Sequence, residues 1–131
     1  MSARTLMGRR LMLVEDDYFI GSTLKDVLEL EGATVIGPFP DVASALQGMG
    51  DGRGIDVALL DINLDGEMSF PVADALQGLD VPTVLISGYD THALPAPYAD
   101  LPHCEKPIDV HQLLRILAGL QGTRAMGAAR T

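Results

Sequence analysis

Short apolar runs alternate along this chain with longer stretches in which apolar residues recur every three or four positions. Leu11-Met12-Leu13-Val14 is the first run and predicts a buried strand. Ile20, Leu24, Val27 and Leu28 follow at helical spacing, and Gly32 is a natural helix stop. Ala33 to Ile36 predicts a second strand closed by Gly37-Pro38, and Asp41 is placed to cap a short helix reaching about Met49. Beyond a Gly-rich loop, Val57 to Leu60 predicts a third strand that is apolar on both faces, as in a parallel sheet covered by helices on each side. A third helix falls within Ser69 to Leu79, and Val81 to Ile86 predicts the fourth strand. Pro95, Pro97 and Pro102 keep any fourth helix short. Leu101 to Glu105 is a weak fifth strand suited to a sheet edge, and Asp109 caps a last helix carrying Val110, Leu113, Leu114 and Leu117. The order predicts an α/β fold, a doubly wound five-stranded parallel sheet. The folded domain is expected over residues 10–121, with tails at 1–9 and 122–131.

In such sheets ligands bind beyond the C-terminal strand ends. Here strand one ends in Glu15-Asp16-Asp17, strand three in Asp61, strand four in Ser87-Gly88 and strand five in Lys106-Pro107. Parallel strands would bring these groups to one rim. Clustered carboxylates repel unless a cation or proton lies between them. Oxygen ligands without His or Cys favour magnesium, which keeps waters and shares phosphoryl oxygens. A carboxylate can also be the nucleophile, forming an aspartyl phosphate. Asp61 is the candidate, because it follows the most apolar strand. Glu15-Asp16-Asp17 taken alone is equally a solvated helix N-terminus, where acids favour the macrodipole.

Composition narrows the picture. The 131 residues fit one domain, and no apolar run approaches a membrane span or a secretory signal. The single cysteine, Cys104, excludes an internal disulfide and a cysteine-built metal site, so a cytoplasmic location is expected. Net charge is −9, and the stretch from residue 11 to 121 carries all 18 acids against four basic residues, a local charge of −14. Such a body repels a nucleic acid backbone, so neither nucleic acid nor membrane is an expected partner.

The four pieces Val14-Glu15-Asp16-Asp17, Leu60-Asp61, Ser87-Gly88 and Lys106-Pro107 occur in an order and spacing that resembles the receiver domain of bacterial two-component response regulators, of the stand-alone, CheY-like kind, over about residues 10–120. The resemblance implies a flavodoxin-like fold and a switch rather than an enzyme. It implies that Asp61 accepts a phosphoryl group from a histidine kinase or histidine phosphotransfer protein. Mg2+ would be held by Asp16 directly, by Glu15 through water, by Asp61 and by the backbone carbonyl of Asn63. Ser87 would bond a phosphoryl oxygen and move on activation, Lys106 would pair with the phosphate, and the bond before Pro107 would be cis.

The chain departs from the family in places. The usual proline-containing loop after the acceptor is replaced by Asn63-Leu64-Asp65-Gly66-Glu67. The interval from Ser87 to Lys106 is short, so the fourth helix should be stunted. The switch aromatic of strand five would fall at His103, with Tyr89 an alternative mobile aromatic shielding the acyl phosphate. Ile116 and Leu120 beside the last helix stripe are either wider core or a pairing surface, for a homodimer or a partner protein, through the last strand and helix. Competing readings are a metal-dependent phosphatase using an aspartyl phosphate, a flavin or nucleotide binder, and a degenerate receiver acting as a binding module. The phosphatase wants an acid where Asn63 stands, and three acids after the first strand would repel a flavin phosphate.

Overall fold

A computed structural model describes residues 6–88 and 94–129, with the side chains of the last helix described as far as residue 120. Five parallel strands form one sheet: β1 (Arg10–Val14), β2 (Thr34–Phe39), β3 (Val57–Asp61), β6 (Thr83–Ser87) and β7 (His103–Glu105), in the order β2-β1-β3-β6-β7. A separate two-stranded hairpin, β4 (Asn63–Leu64) with β5 (Glu67–Met68), follows β3 directly. The helices are α1 (Tyr18–Leu30), α2 (Val42–Met49), α3 (Phe70–Gly78), α4 (Ala96–Ala99) and α5 (Val110–Ala129). The flavodoxin-like order and the stunted fourth helix are as expected. Pro95 and Pro97 flank the start of α4, where a missing N–H costs nothing, and only one turn forms.

Period-two alternation feeds two cores. Leu11 and Leu13, Val57 and Leu59, and Val84 and Ile86 meet Leu24 and Leu28 of α1 and Leu113 and Leu117 of α5. Met12 and Val14, Ala58 and Leu60, and Leu85 turn the other way, onto Ala45 and Met49 of α2, Val72 and Leu76 of α3, and Tyr98 of α4. Each fully buried leucine contributes about 1.5–3 kcal/mol, enough for both faces to hold the sheet rigid beneath its rim.

Two boundaries differ from the expectation. Leu6, in the stretch read as a tail, is fully buried in the α1–α5 core, and its N–H donates to the Glu31 carbonyl at 2.9 Å. Leu6-Met7 is only two apolar residues long, too short to carry a periodicity, which is why the pattern missed it. At the other end α5 continues to Ala129, where a tail from residue 122 was expected.

β2 also runs further than its Gly37-Pro38 signal predicted. The register moves from Met12 opposite Ile36 to Val14 opposite Phe39, so one extra residue bulges out of β2. Gly37 sits there at φ 117, and any side chain would strike the Leu13 carbonyl oxygen. The extension lets Phe39 O accept from Glu15 N–H at 2.9 Å, which fixes the first acid of the rim. No helix among the described residues is long and apolar enough to cross a membrane.

Candidate functional site

Three consecutive acids after β1 have three different environments. Glu15 is buried, and its Oε2 accepts from the Asp17 N–H at 3.1 Å. Asp16 is half-buried. Asp17 is exposed and caps α1, its Oδ1 accepting from Ile20 N–H at 3.1 Å. The helix-start reading therefore holds for Asp17, and the first two acids face the rim instead.

Asp61 closes β3 with 2% of its surface exposed. Its Oδ2 accepts from Lys106 Nζ at 2.7 Å, and its Oδ1 accepts from Asn63 N–H at 3.1 Å. The lysine ammonium lies 3.6 Å from Glu15 Oε1. Lys106 is placed by its own backbone, whose N–H donates to Ser87 O at 2.8 Å, and the bond to Pro107 is cis. Ser87 ends β6 with its hydroxyl oxygen buried and without a hydrogen-bond partner; Glu15 Oε1 is likewise buried and hydrogen-bonds to nothing. One oxygen from each of Glu15, Asp16 and Asp61 lies within 4.8 Å of the others.

This crowding costs free energy. Burial pushes the Glu15 carboxyl up, to about 7; the Asp17 N–H opposes that, the nearby Asp61 carboxylate adds to it, and Lys106 recovers only part. Burial alone would lower the Lys106 ammonium, but the bond to Asp61 and the charges of Asp61, Glu15 and Asp16 outweigh it and hold it above its usual value. Hard oxygens, excess negative charge and a buried carboxylate oxygen without a hydrogen bond are what a small divalent cation satisfies. The donor set fits such an ion.

The loop after Asp61 is the β4–β5 hairpin. Asp65 and Gly66 both have positive φ, 55° and 95°, as the two-residue turn requires. Leu64 pairs with Glu67 beside that turn and Asn63 with Met68 beyond it. The first pair carries the mutual hydrogen bonds, so Asn63 turns its N–H and carbonyl outward together. Its N–H bonds Asp61 Oδ1 at 3.1 Å, so this outward edge of the hairpin faces the end of β3. In the sequence, 63–67 shows only as a departure from the family's proline-containing loop, and the Asp65-Gly66 pair is the available signal for a hairpin.

No family model matches the chain. Among solved structures it is similar to SdrG from Sphingomonas melonis Fr1, with 37% identity, 92% of this chain and 98% of that chain covered, and a TM-score of 0.73. A response regulator receiver protein from Sinorhizobium medicae WSM419 shares the fold at 23% identity, with 88% and 96% coverage and a TM-score of 0.76. The chain belongs to the receiver domains of response regulators. A curated relative, an uncharacterized transcriptional regulatory protein YbdJ from Bacillus subtilis (strain 168), is 31% identical over 86 residues, which are 63% of this chain and 36% of that protein. The chain thus spans about a third of that relative's length.

Within this receiver domain, Glu15, Asp16, Asp61, Ser87 and Lys106 converge at one rim, with the Asn63 main chain beside them. His103 lies on the exposed side of the edge strand β7. Tyr89 lies outside the described residues. Ile116 and Leu120 are half-buried and pack against the α1–α5 core. Sequence reasoning missed Ser69, whose buried hydroxyl donates to the Asp61 carbonyl at 2.6 Å.

Proposed function

We propose that this receiver is a phosphorylation switch in which Asp61 takes a phosphoryl group from the phosphohistidine of a kinase or phosphotransfer protein. The observation that carries the reading is the buried Asp61 carboxylate, gripped by Lys106 at 2.7 Å beside two further acids. One Asp61 oxygen attacks phosphorus, the phosphorus–nitrogen bond of the donor breaks, and the leaving imidazole takes up a proton. Mg2+, when bound, offsets negative charge on the acids and the phosphoryl oxygens. Asp16 and Asp61 would hold it through their carboxylates, Asn63 through its carbonyl and Glu15 through water. Lys106 keeps its charge at neutral pH and pairs with the new phosphate. The unpartnered Ser87 hydroxyl has a proton to donate to a phosphoryl oxygen, and that new bond favours a second arrangement of the rim.

Other features agree. The residue two beyond Asp61 is Asn63, whose side-chain oxygen accepts from Gly66 N–H at 2.6 Å, so no acid stands there to drive turnover of external esters. Tyr18 and Phe19 are 79% and 80% exposed at the start of α1. Phe19 and Ile20 flank an apolar groove with Pro107 and Ile108 beside Lys106. That surface suits a protein donor: Phe19→Ala is expected to slow transfer from a phosphohistidine protein and leave labelling by a small acyl phosphate unchanged.

The test is incubation of the chain with Mg2+ and a small acyl phosphate, followed by intact mass. The wild type gains one phosphoryl group and Asp61→Asn gains none. Equal labelling of both would remove Asp61 as the acceptor.

A further inference from the structure

We propose that the β4–β5 hairpin is the positioning element of the metal site, and that Ser69 and Glu67 are the clamps that aim it. The proposal rests on the phosphoacceptor reading for the purpose of the site, but its observations are separate.

The first clamp answers a gap in the sheet. The last rung between β1 and β3 is Val14 opposite Leu60. Glu15, just past the end of β1, turns its N–H to the opposite side, onto Phe39 O of β2. The Asp61 carbonyl is therefore past the end of the ladder on the β1 side, and a buried carbonyl needs a donor. Ser69 supplies it: the side chain is fully buried and its Oγ donates to Asp61 O at 2.6 Å. Ser69 stands at the N-cap of α3, where a serine oxygen ordinarily accepts a helix N–H, yet it makes no capping bond there. Its backbone N–H closes the hairpin mouth on Ile62 O at 2.8 Å. One residue thus ties the acceptor strand, the hairpin and α3 together.

The second clamp is on the outer leg. Glu67 Oε1 accepts from Val42 N–H, in the first turn of α2, at 3.2 Å, one of the N–H groups a helix start leaves unpaired. A hairpin with two residues per strand is not stable alone. The direction of the Asn63 carbonyl is therefore set by what fastens the hairpin at its two ends. Ser69 and Glu67 are positioning residues, acting through Asn63.

The experiment is a Mg2+ titration of the full chain followed by amide and carbonyl NMR shifts. Ser69→Ala is expected to weaken Mg2+ binding about tenfold, the lower end of outer-shell losses at metal sites, and the exposed-site variant Glu67→Ala by less than that. Both should shrink the Mg2+-induced change in the Asn63 carbonyl shift, and saturating Mg2+ should restore acyl phosphate labelling. A merely structural loss would lower the melting temperature without moving the Asn63 signal. Wild-type Mg2+ affinity and Asn63 shifts in both variants would overturn the proposal. If Ser69→Ala does not fold, Glu67→Ala decides by the same measurement. Labelling of the wild type at sub-saturating Mg2+, with both variants matching it there, would sink the clamps alone; no labelling and no Mg2+ binding by the wild type would sink the clamps and the acceptor reading together.

Discussion

The rim and the α3–α4 contact both bury polar groups, but they treat them in opposite ways. Between α3 and α4, Tyr98 stacks on Phe70 with ring centroids 4.4 Å apart, and its hydroxyl donates to Asp74 at 2.7 Å. Polar and apolar needs are met together there. At the rim, Glu15 Oε1 and the Ser87 hydroxyl are buried without hydrogen-bond partners, and two carboxylates crowd Asp61. A contact whose groups are paired is finished by folding. A rim that leaves groups unpaired is held in place by the two cores beneath it and is finished by a ligand. Removing a side chain should therefore have opposite signs in the two regions.

The largest effect is expected at Glu15. Its carboxyl titrates at about 7 in the folded protein, above the value near 4.5 of an unburied glutamate. Between those values the folded state binds the extra proton, so the metal-free protein loses stability as pH rises through this window. Glu15→Gln should flatten that slope and stabilise the metal-free protein at pH 8 relative to the wild type. Urea midpoints at pH 5 and pH 8 check it. A variant that is destabilised at pH 8 would mean that the rim is not frustrated.

The same proton competes with a metal. Mg2+ affinity of the wild type should rise about tenfold from pH 6 to pH 8, as a group near 7 releases its proton, and Glu15→Gln should show a flatter profile. Calorimetric titrations at the two pH values measure it. A flat wild-type profile would separate Glu15 from the metal.

Much of this contrast was legible in the sequence. Both-faced apolar strands such as Val57 to Leu60 suit a helix-covered parallel sheet, and parallel strands bring their C-terminal residues to one rim. Asp61, Asp16 and Lys106 were found through that geometry. What escaped has little periodicity. Each hairpin strand has two residues, too few to alternate, so Asp65-Gly66 was the sole sign of it. Ser69 acts through the Asp61 main chain, and no side-chain pattern reveals a carbonyl left beyond the end of a ladder. Glu15 and Asp17 belong to one acidic run, and only the Glu15 N–H bond to Phe39, made possible by the β2 bulge, sorts them into a rim residue and a helix cap.

The smallest effect tests the completed region. Tyr98 was invisible as a contact because it lies in a proline-rich stretch whose one helical turn gives no stripe. Its bond to Asp74 raises the phenol above its ordinary value, with burial adding to the shift. Tyr98→Phe keeps the ring on Phe70 and removes only the hydroxyl, so the Asp74 carboxylate, which is exposed, turns to water at little cost. The net loss is that of one hydrogen bond, about 1 kcal/mol, with unchanged acyl phosphate labelling of Asp61. Equilibrium unfolding and intact mass on the same variant read both quantities. Stabilisation by this substitution would erase the distinction between the two regions, because a satisfied contact would then behave as the rim does. Loss of labelling would instead show that α4 is coupled to Asp61, through α3 and the Ser69 bond that already joins α3 to the acceptor strand.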